Sequence, residues 1–261
     1  LENFSHSPSA KLHVCGALKL IFSTLLDSFA EAKAVTITPL SILEKDATPF
    51  DFIAPHVRLN DADSCLAETD PIKPQRLMRE LSIRLPERAR VFVDAGNSWA
   101  WATHYLHLRH SGLYRIGISF GSMTWEIGAA IGSAVATDDG PTFCITGDGS
   151  YLMSGQELTV AVAEKLPVVF VILNDRALGM VTHGQRLGGA EQVAFELPPV
   201  DFTLLAKALG AAAEKVTTVE ELQQLDLDAI CARQGPTLIE VLIDGEEVPP
   251  MGARMKTLER G

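Results

Sequence analysis

The stretch Thr142-Phe-Cys-Ile-Thr-Gly-Asp-Gly-Ser150, followed by Leu166-Pro-Val-Val-Phe-Val-Ile-Leu-Asn174, decides the fold. Each half is a short apolar run, rich in β-branched and aromatic residues, that stops abruptly at glycine or polar residues. That is the signature of a strand buried on both faces. Between the halves, residues 155–164 predict a helix, with Ser154 and Glu157 spaced as a capping box. Asp148 and Asn174, 26 residues apart, then stand at equivalent ends of two parallel strands joined by one helical crossover. If the strands are neighbours, the two ends lie about 4.8 Å apart. The glycines around Asp148 permit a tight turn and a close backbone approach to a ligand. One carboxylate and one amide oxygen suit Mg²⁺, which takes one or two protein side chains together with phosphate oxygens and water.

Working outward, the spacing predicts helices over 75–85, 98–108, 124–136, 202–209 and 219–233, and strands over 90–94, 114–118 and 237–243. Strands alternating with helices imply βαβ units. The fold class is therefore α/β: a doubly wound parallel sheet with helices on both faces. Ligands of such sheets bind outside the carboxyl ends of the strands. Four post-strand segments meet that description: Asp94-Ala-Gly-Asn-Ser98, Ser119-Phe-Gly-Ser-Met123, Gly147-Asp-Gly-Ser150 and Asn174-Asp-Arg176. All are polar or glycine-rich, as a shared crevice requires. The chain has no GxxxxGK[ST] and no well-placed GxGxxG, which excludes a P-loop and weakens a nicotinamide reading. From Pro141 to Ala163 there is no Lys or Arg. A phosphate held here needs backbone N–H groups, hydroxyls and a metal ion.

Upstream, residues 17–29 predict an amphipathic helix and 34–37 a short strand. Residues 39–74 are irregular and rich in Pro, Asp and Thr. The formal net charge of −11 comes without a basic stripe, so a nucleic-acid partner is not expected. The four cysteines form no CxxC pair and read as free thiols of a reducing cytosol. The longest strongly apolar run, 166–173, is too short to span a membrane. The sequence opens on Leu-Glu-Asn-Phe, without Met and without signal-peptide character, and reads as a fragment or processed product.

Gly147-Asp-Gly-Ser150, then 24 residues to Asn174 and Asp175, resembles the diphosphate-binding motif of thiamine-diphosphate enzymes. The surrounding run, 147–181, is similar to the acetohydroxyacid/acetolactate synthase branch of the pyruvate decarboxylase superfamily. The resemblance covers roughly residues 70–245. It implies a diphosphate-binding domain over 74–245, a linker over 41–73, a C-terminal remnant of a middle domain over 1–40, and a tail over 246–261.

The resemblance also assigns roles. Asp148 and Asn174 ligate Mg²⁺, with the Arg176 carbonyl as third protein ligand. Gly147, Gly149 and Ser150 border the diphosphate, approached from the first loop by Gly96, Asn97 and Ser98. Gly121, Ser122 and Met123 match the segment in which the glycine carbonyl accepts from the aminopyrimidine and the bulky residue wedges the cofactor into its bent form; Gly121 and Met123 are thus the catalytic candidates. Met180 and Val181 lie toward the substrate.

The implied function is thiamine-diphosphate- and Mg²⁺-dependent carboligation of a 2-oxo acid, in a cytoplasmic homo-oligomer, dimer or tetramer. The alternatives are a 2-oxo-acid decarboxylase, or a non-catalytic cofactor-binding chain. A glutamate from a separate pyrimidine-binding domain completes the family's site, so this chain alone is expected not to turn over. Two departures bear on the assignment. Thr124 stands where the family usually has Gly, and Thr182-His183-Gly184-Gln185 replaces a Gln/Trp-containing stretch.

Several residues carry competing readings. Ser98 could be a plain helix N-cap. His104, His107 and His110 have a spacing zinc could use, but lack supporting Cys or Asp. His183 reads as an acid–base group or an ordinary loop histidine. Glu126 favours its helix dipole, and Gly128 with Gly132 suggests close helix packing.

Overall fold

The computed structural model describes residues 61–250, apart from Ser111. Its centre is a six-stranded, all-parallel sheet in the order β2-β1-β3-β4-β6-β5. The strands are β1 (Arg90–Val93), β2 (Tyr114–Arg115), β3 (Thr142–Gly147), β4 (Val168–Asn174), β5 (Ala212–Val216) and β6 (Thr237–Leu242). Every residue of β4 is buried, as its unbroken apolar run requires of a central strand.

Alternate side chains feed two cores. Val91, Phe143, Val169, Val171, Ile239 and Val241 pack on one face. That face is covered by α1 (Pro74–Arg84), α2 (Asn97–Tyr105), α8 (Val219–Gln224) and α9 (Leu227–Cys231). Phe92, Cys144, Phe170, Ile172 and Leu238 fill the other. Its helices are α3 (Trp125–Ala136), α4 (Asp148–Ser154), α5 (Leu158–Ala163) and α7 (Phe202–Ala208). The remaining helix, α6 (Gly179–Leu187), follows β4 at the sheet's carboxyl edge. A fully buried Phe such as Phe170 contributes about 2–3 kcal/mol through area removed from water. No helix among the described residues is long and apolar enough to cross a membrane.

The doubly wound α/β class holds, and so does the pairing of the two decisive strands, with Gly147 opposite Leu173. Several details differ. The helix expected from residue 155 begins at Asp148, and Ser154 makes no side-chain cap; a short 3₁₀ turn, Gly155–Glu157, separates α4 from α5. Gly96, not Ser98, precedes the first turn of α2. The helix expected over 219–233 breaks at Leu225, because the Asp226 carboxylate accepts from the Ala229 N–H and starts a new helix. Strand 114–118 shrinks to two residues. β5 and α6 were not expected at all. Residues 61–73, expected as linker, contribute Cys65 and Ile72 to the core, and Ile72 pairs with Ile243. Gly128 and Gly132 are exposed, with nothing within reach of an added Cβ, so they do not serve packing among the described residues. The helix and strand expected within 17–37 lie outside the described residues.

The strand order reverses between β1 and β3: β1 leads outward to β2, and the chain then returns to β3 on the other side. Such a switch point leaves a crevice at the carboxyl ends of the two strands.

Candidate functional site

Four loops converge on that crevice, and Asp94 ties three of them. It is fully buried at the end of β1. Its carboxylate accepts from the Thr124 N–H at 3.0 Å to both oxygens, from the Ala95 N–H at 3.0 Å and from the Thr146 hydroxyl at 2.8 Å. The Ser150 hydroxyl also donates to it. One acid therefore fixes the loop before α3 and the junction of β3 with α4. Ser98, expected at the ligand, donates to the Asp94 and Ala95 carbonyls at 3.0 and 3.2 Å, which holds the first loop closed.

Asp148 opens α4, 3% exposed. Burial pushes its carboxyl up to about 7, and the neighbouring Asp175 charge adds to the rise. The N–H groups of Gly149, Arg176 and Ala177 oppose that shift. Asp148 is therefore linked directly to the loop after β4. Burial likewise raises Asp175 to about 6. Asn174 is the last residue of β4, and its Oδ1 accepts from the Arg176 N–H at 3.2 Å. Arg176 is in the left-handed region, φ 58°, and its carbonyl already accepts from the Leu197 N–H at 3.0 Å. One lone pair of that carbonyl remains.

Between these loops lies a cavity of about 230 Å³. Gly96, Asn97, Ser98, Gly121, Met123, Gly147, Asp148, Gly149, Ser150 and Met180 all line it, as do Asp175 and Val181. Ser122, Asn174 and Arg176 are not among its walls. None of the lining residues is Lys, Arg or His. A second cavity of about 410 Å³ shares Gly96, Gly121 and Met180 with the first and contains Glu126.

The glycines fall into two classes. An added Cβ at Gly96, Gly121 or Gly147 meets nothing within 4 Å, so these three leave ligand space. At Gly149 it would meet Leu178 at 2.6 Å, and at Gly179 it would meet Asp175 at 2.5 Å and Asn97 at 2.6 Å. These two permit close packing of the crevice walls. Neither Gly147 nor Gly149 has a positive φ, so the tight-turn reading gives way to one of space.

A cation with an anionic ligand fits this donor set. Two carboxyls, Asp148 buried and Asp175 half-buried, line one cavity without a basic side chain, and the Asn97 Oδ1 is buried without a partner among the described residues. No group of three His, Cys, Asp or Glu suits a metal among the described residues. His104 lies in α2, while His107 and His110 lie beyond it, which breaks the zinc spacing. His183 sits on α6 rather than in a loop. It is 1% exposed, with its pKa lowered by burial, and it is not a cavity wall.

Sequence comparison agrees with the geometry. The chain is 32% identical over 189 residues to a probable acetolactate synthase large subunit of Methanocaldococcus jannaschii, covering 69% of this chain and 32% of that protein. It is 32% identical over 199 residues to the acetolactate synthase isozyme 2 large subunit of Escherichia coli, covering 73% and 36%. It is 31% identical over 192 residues to the acetolactate synthase large subunit of Haemophilus influenzae, covering 70% and 32%. The matched region thus spans about a third of the length of these relatives. The family described as "Thiamine pyrophosphate enzyme, C-terminal TPP binding domain" matches residues 94–241. From the acid that ties the loops of the crevice to the strand beside β4, this chain belongs to the thiamine pyrophosphate enzymes and carries their C-terminal binding domain.

Proposed function

We propose that this chain supplies the Mg²⁺–diphosphate half of the active site in a 2-oxo-acid carboligase of acetolactate-synthase type. The observation that carries the reading is the pair of strand ends. Asp148 directly follows β3 and Asn174 ends the neighbouring parallel strand β4, beside a cavity whose walls hold two acids and no base. With no Lys, Arg or His in those walls, a bound cation is what supplies the counter-charge for a diphosphate. Asp148, the Asn174 amide oxygen and the Arg176 carbonyl hold Mg²⁺. Gly147, Gly149, Ser150, Gly96, Asn97 and Ser98 border the diphosphate. Gly121 receives the aminopyrimidine, Met123 wedges the cofactor, and Met180 faces the substrate. When bound, thiamine diphosphate supplies the nucleophilic carbon and the electron sink for chemistry beside the 2-oxo-acid carbonyl. The chain's own residues bind, bend and orient it.

Carboligation is preferred over simple decarboxylation because the similar proteins are named as acetolactate synthase large subunits. The site is completed by a pyrimidine-binding domain, from the same polypeptide or a partner chain. Ile118 (71% exposed) and Phe120 (94% exposed) lie at the second cavity and support such a cover. Trp125, Gly128, Gly132 and Val135 recur on one exposed face of α3 and support a homo-oligomer. The net acidity and the free, unpaired Cys65, Cys144 and Cys231 suit the cytoplasm.

Calorimetry with thiamine diphosphate and Mg²⁺ tests the site. Wild type binds, whereas Asp148→Ala and wild type in a chelator do not. Equal binding by Asp148→Ala refutes the reading. With the pyrimidine domain present, pyruvate gives acetolactate; acetaldehyde as sole product would reassign the reaction to decarboxylation.

A further inference from the structure

We infer that Glu240 is a positioning residue, which locks the Asn174 amide with its carbonyl oxygen turned to the cation. The inference rests on the assignment of Asn174 as a metal ligand and deepens it. Glu240 lies on β6, immediately beside β4, and is 2% exposed. Its partner across the ladder is Ile172, two residues before Asn174, so both side chains emerge on the same face of the sheet. The Asn174 Nδ2 donates to Glu240 Oε1 at 2.8 Å. On the far side of the same amide, Oδ1 accepts from the Arg176 N–H at 3.2 Å.

Glu240 Oε1 is the acceptor for the Asn174 Nδ2. Turning the Asn174 amide over would set oxygen against oxygen and Nδ2 against the Arg176 N–H. The orientation is therefore fixed from both ends, and the oxygen is committed to the loop that also carries Asp175 and the Arg176 carbonyl. Lys215, opposite Glu240 on edge strand β5, brings its Nζ to 3.5 Å from Oε2. A relay of three neighbouring strands thus ends at a metal ligand. A buried acid contributes little to fold stability compared with an apolar residue of similar volume, so sheet cohesion alone does not account for it. Partners that orient metal ligands are commonly worth about 10–100-fold in metal affinity.

The test is titration of the full chain with Mg²⁺ at saturating thiamine diphosphate, followed by calorimetry, with the thermal midpoint of each metal-free variant measured alongside. Glu240→Leu should weaken Mg²⁺ binding about 10–100-fold. Glu240→Gln, whose amide oxygen still accepts, should recover most of the affinity. Asn174→Ala sets the full loss. If Glu240→Leu shifts only the thermal midpoint while Asn174→Ala loses Mg²⁺, Glu240 is merely structural and the inference falls with the metal site intact. If Glu240→Gln is as weak as Glu240→Leu, charge rather than orientation matters and the inference also falls. If Asn174→Ala binds Mg²⁺ like wild type, the underlying assignment fails and takes the inference with it. Should Glu240→Leu not fold, Glu240→Asp withdraws the acceptor by one methylene and must show the same weakening.

Discussion

The Thr124 N–H sits 3.0 Å from both carboxylate oxygens of Asp94, and Thr124 adopts φ 80° to reach them. A β-branched residue in the left-handed region carries about 1–2 kcal/mol of strain. A glycine there would carry none, so the backbone favours glycine over the threonine that stands at this position. The donor is a main-chain group, so the bond survives any substitution that keeps the loop.

Thr124→Gly should therefore stabilise the chain by about 0.5–1 kcal/mol, the relief being partly offset by the entropy glycine loses on folding. Urea unfolding measures it. A loss of stability would mean that the threonine side chain makes a compensating contact.

Asp94→Ala should cost about 3 kcal/mol or more, because it takes the acceptor from the Ala95 amide and the Thr146 and Ser150 hydroxyls and leaves the Thr124 amide only the Ser150 Oγ at 2.9 Å. The same urea series checks this. A variant as stable as wild type would show that Asp94 does not hold the loops together.

Gly147→Ala and Gly149→Ala should separate ligand space from packing. At Gly147 the new methyl meets no protein atom, so the thermal midpoint should hold while cofactor affinity drops. At Gly149 it presses on Leu178, and stability should fall by about 1–3 kcal/mol. Melting curves and calorimetry on both variants decide; matching effects at the two positions would contradict the distinction.

Glu126 gives the pH prediction. Burial first, and the Asp94 charge after it, raise its carboxyl to about 7, against the Gly117 N–H that donates to it. The folded chain then holds this proton more tightly than the unfolded chain, whose carboxyl titrates near 4.5. Its contribution is fully present below pH 4.5 and is lost as pH rises through about 7. Glu126→Gln should flatten the decline of stability across that window. An unchanged slope would locate the titration elsewhere.

The two decisive strands were legible because buried parallel strands have unbroken apolar runs, and because their ends are marked by residues that cannot continue them. Others left weaker marks. β5, Ala212-Ala-Glu-Lys-Val216, lies at the sheet edge and mixes charge with small residues, so no periodicity announces it. α6 contains Gly179 and Gly184 and resembles loop sequence, yet it docks against the crevice. Asp175 stands out in the sequence only as the residue after Asn174, although its carboxyl lies beside that of Asp148. Asp94 and Glu240 were hidden for another reason. Their importance lies in partners 30 to 66 residues away, which only the register of the strands brings together.

A cleft whose walls hold two acids and no base sorts its visitors by charge before it sorts them by shape. Sites built from Lys and Arg attract every phosphate ester and nucleotide in the cell and must reject most of them by fit. Here no Lys, Arg or His stands in the walls to draw an anion in, so a phosphate that arrives without a metal ion meets no side chain that could neutralise it.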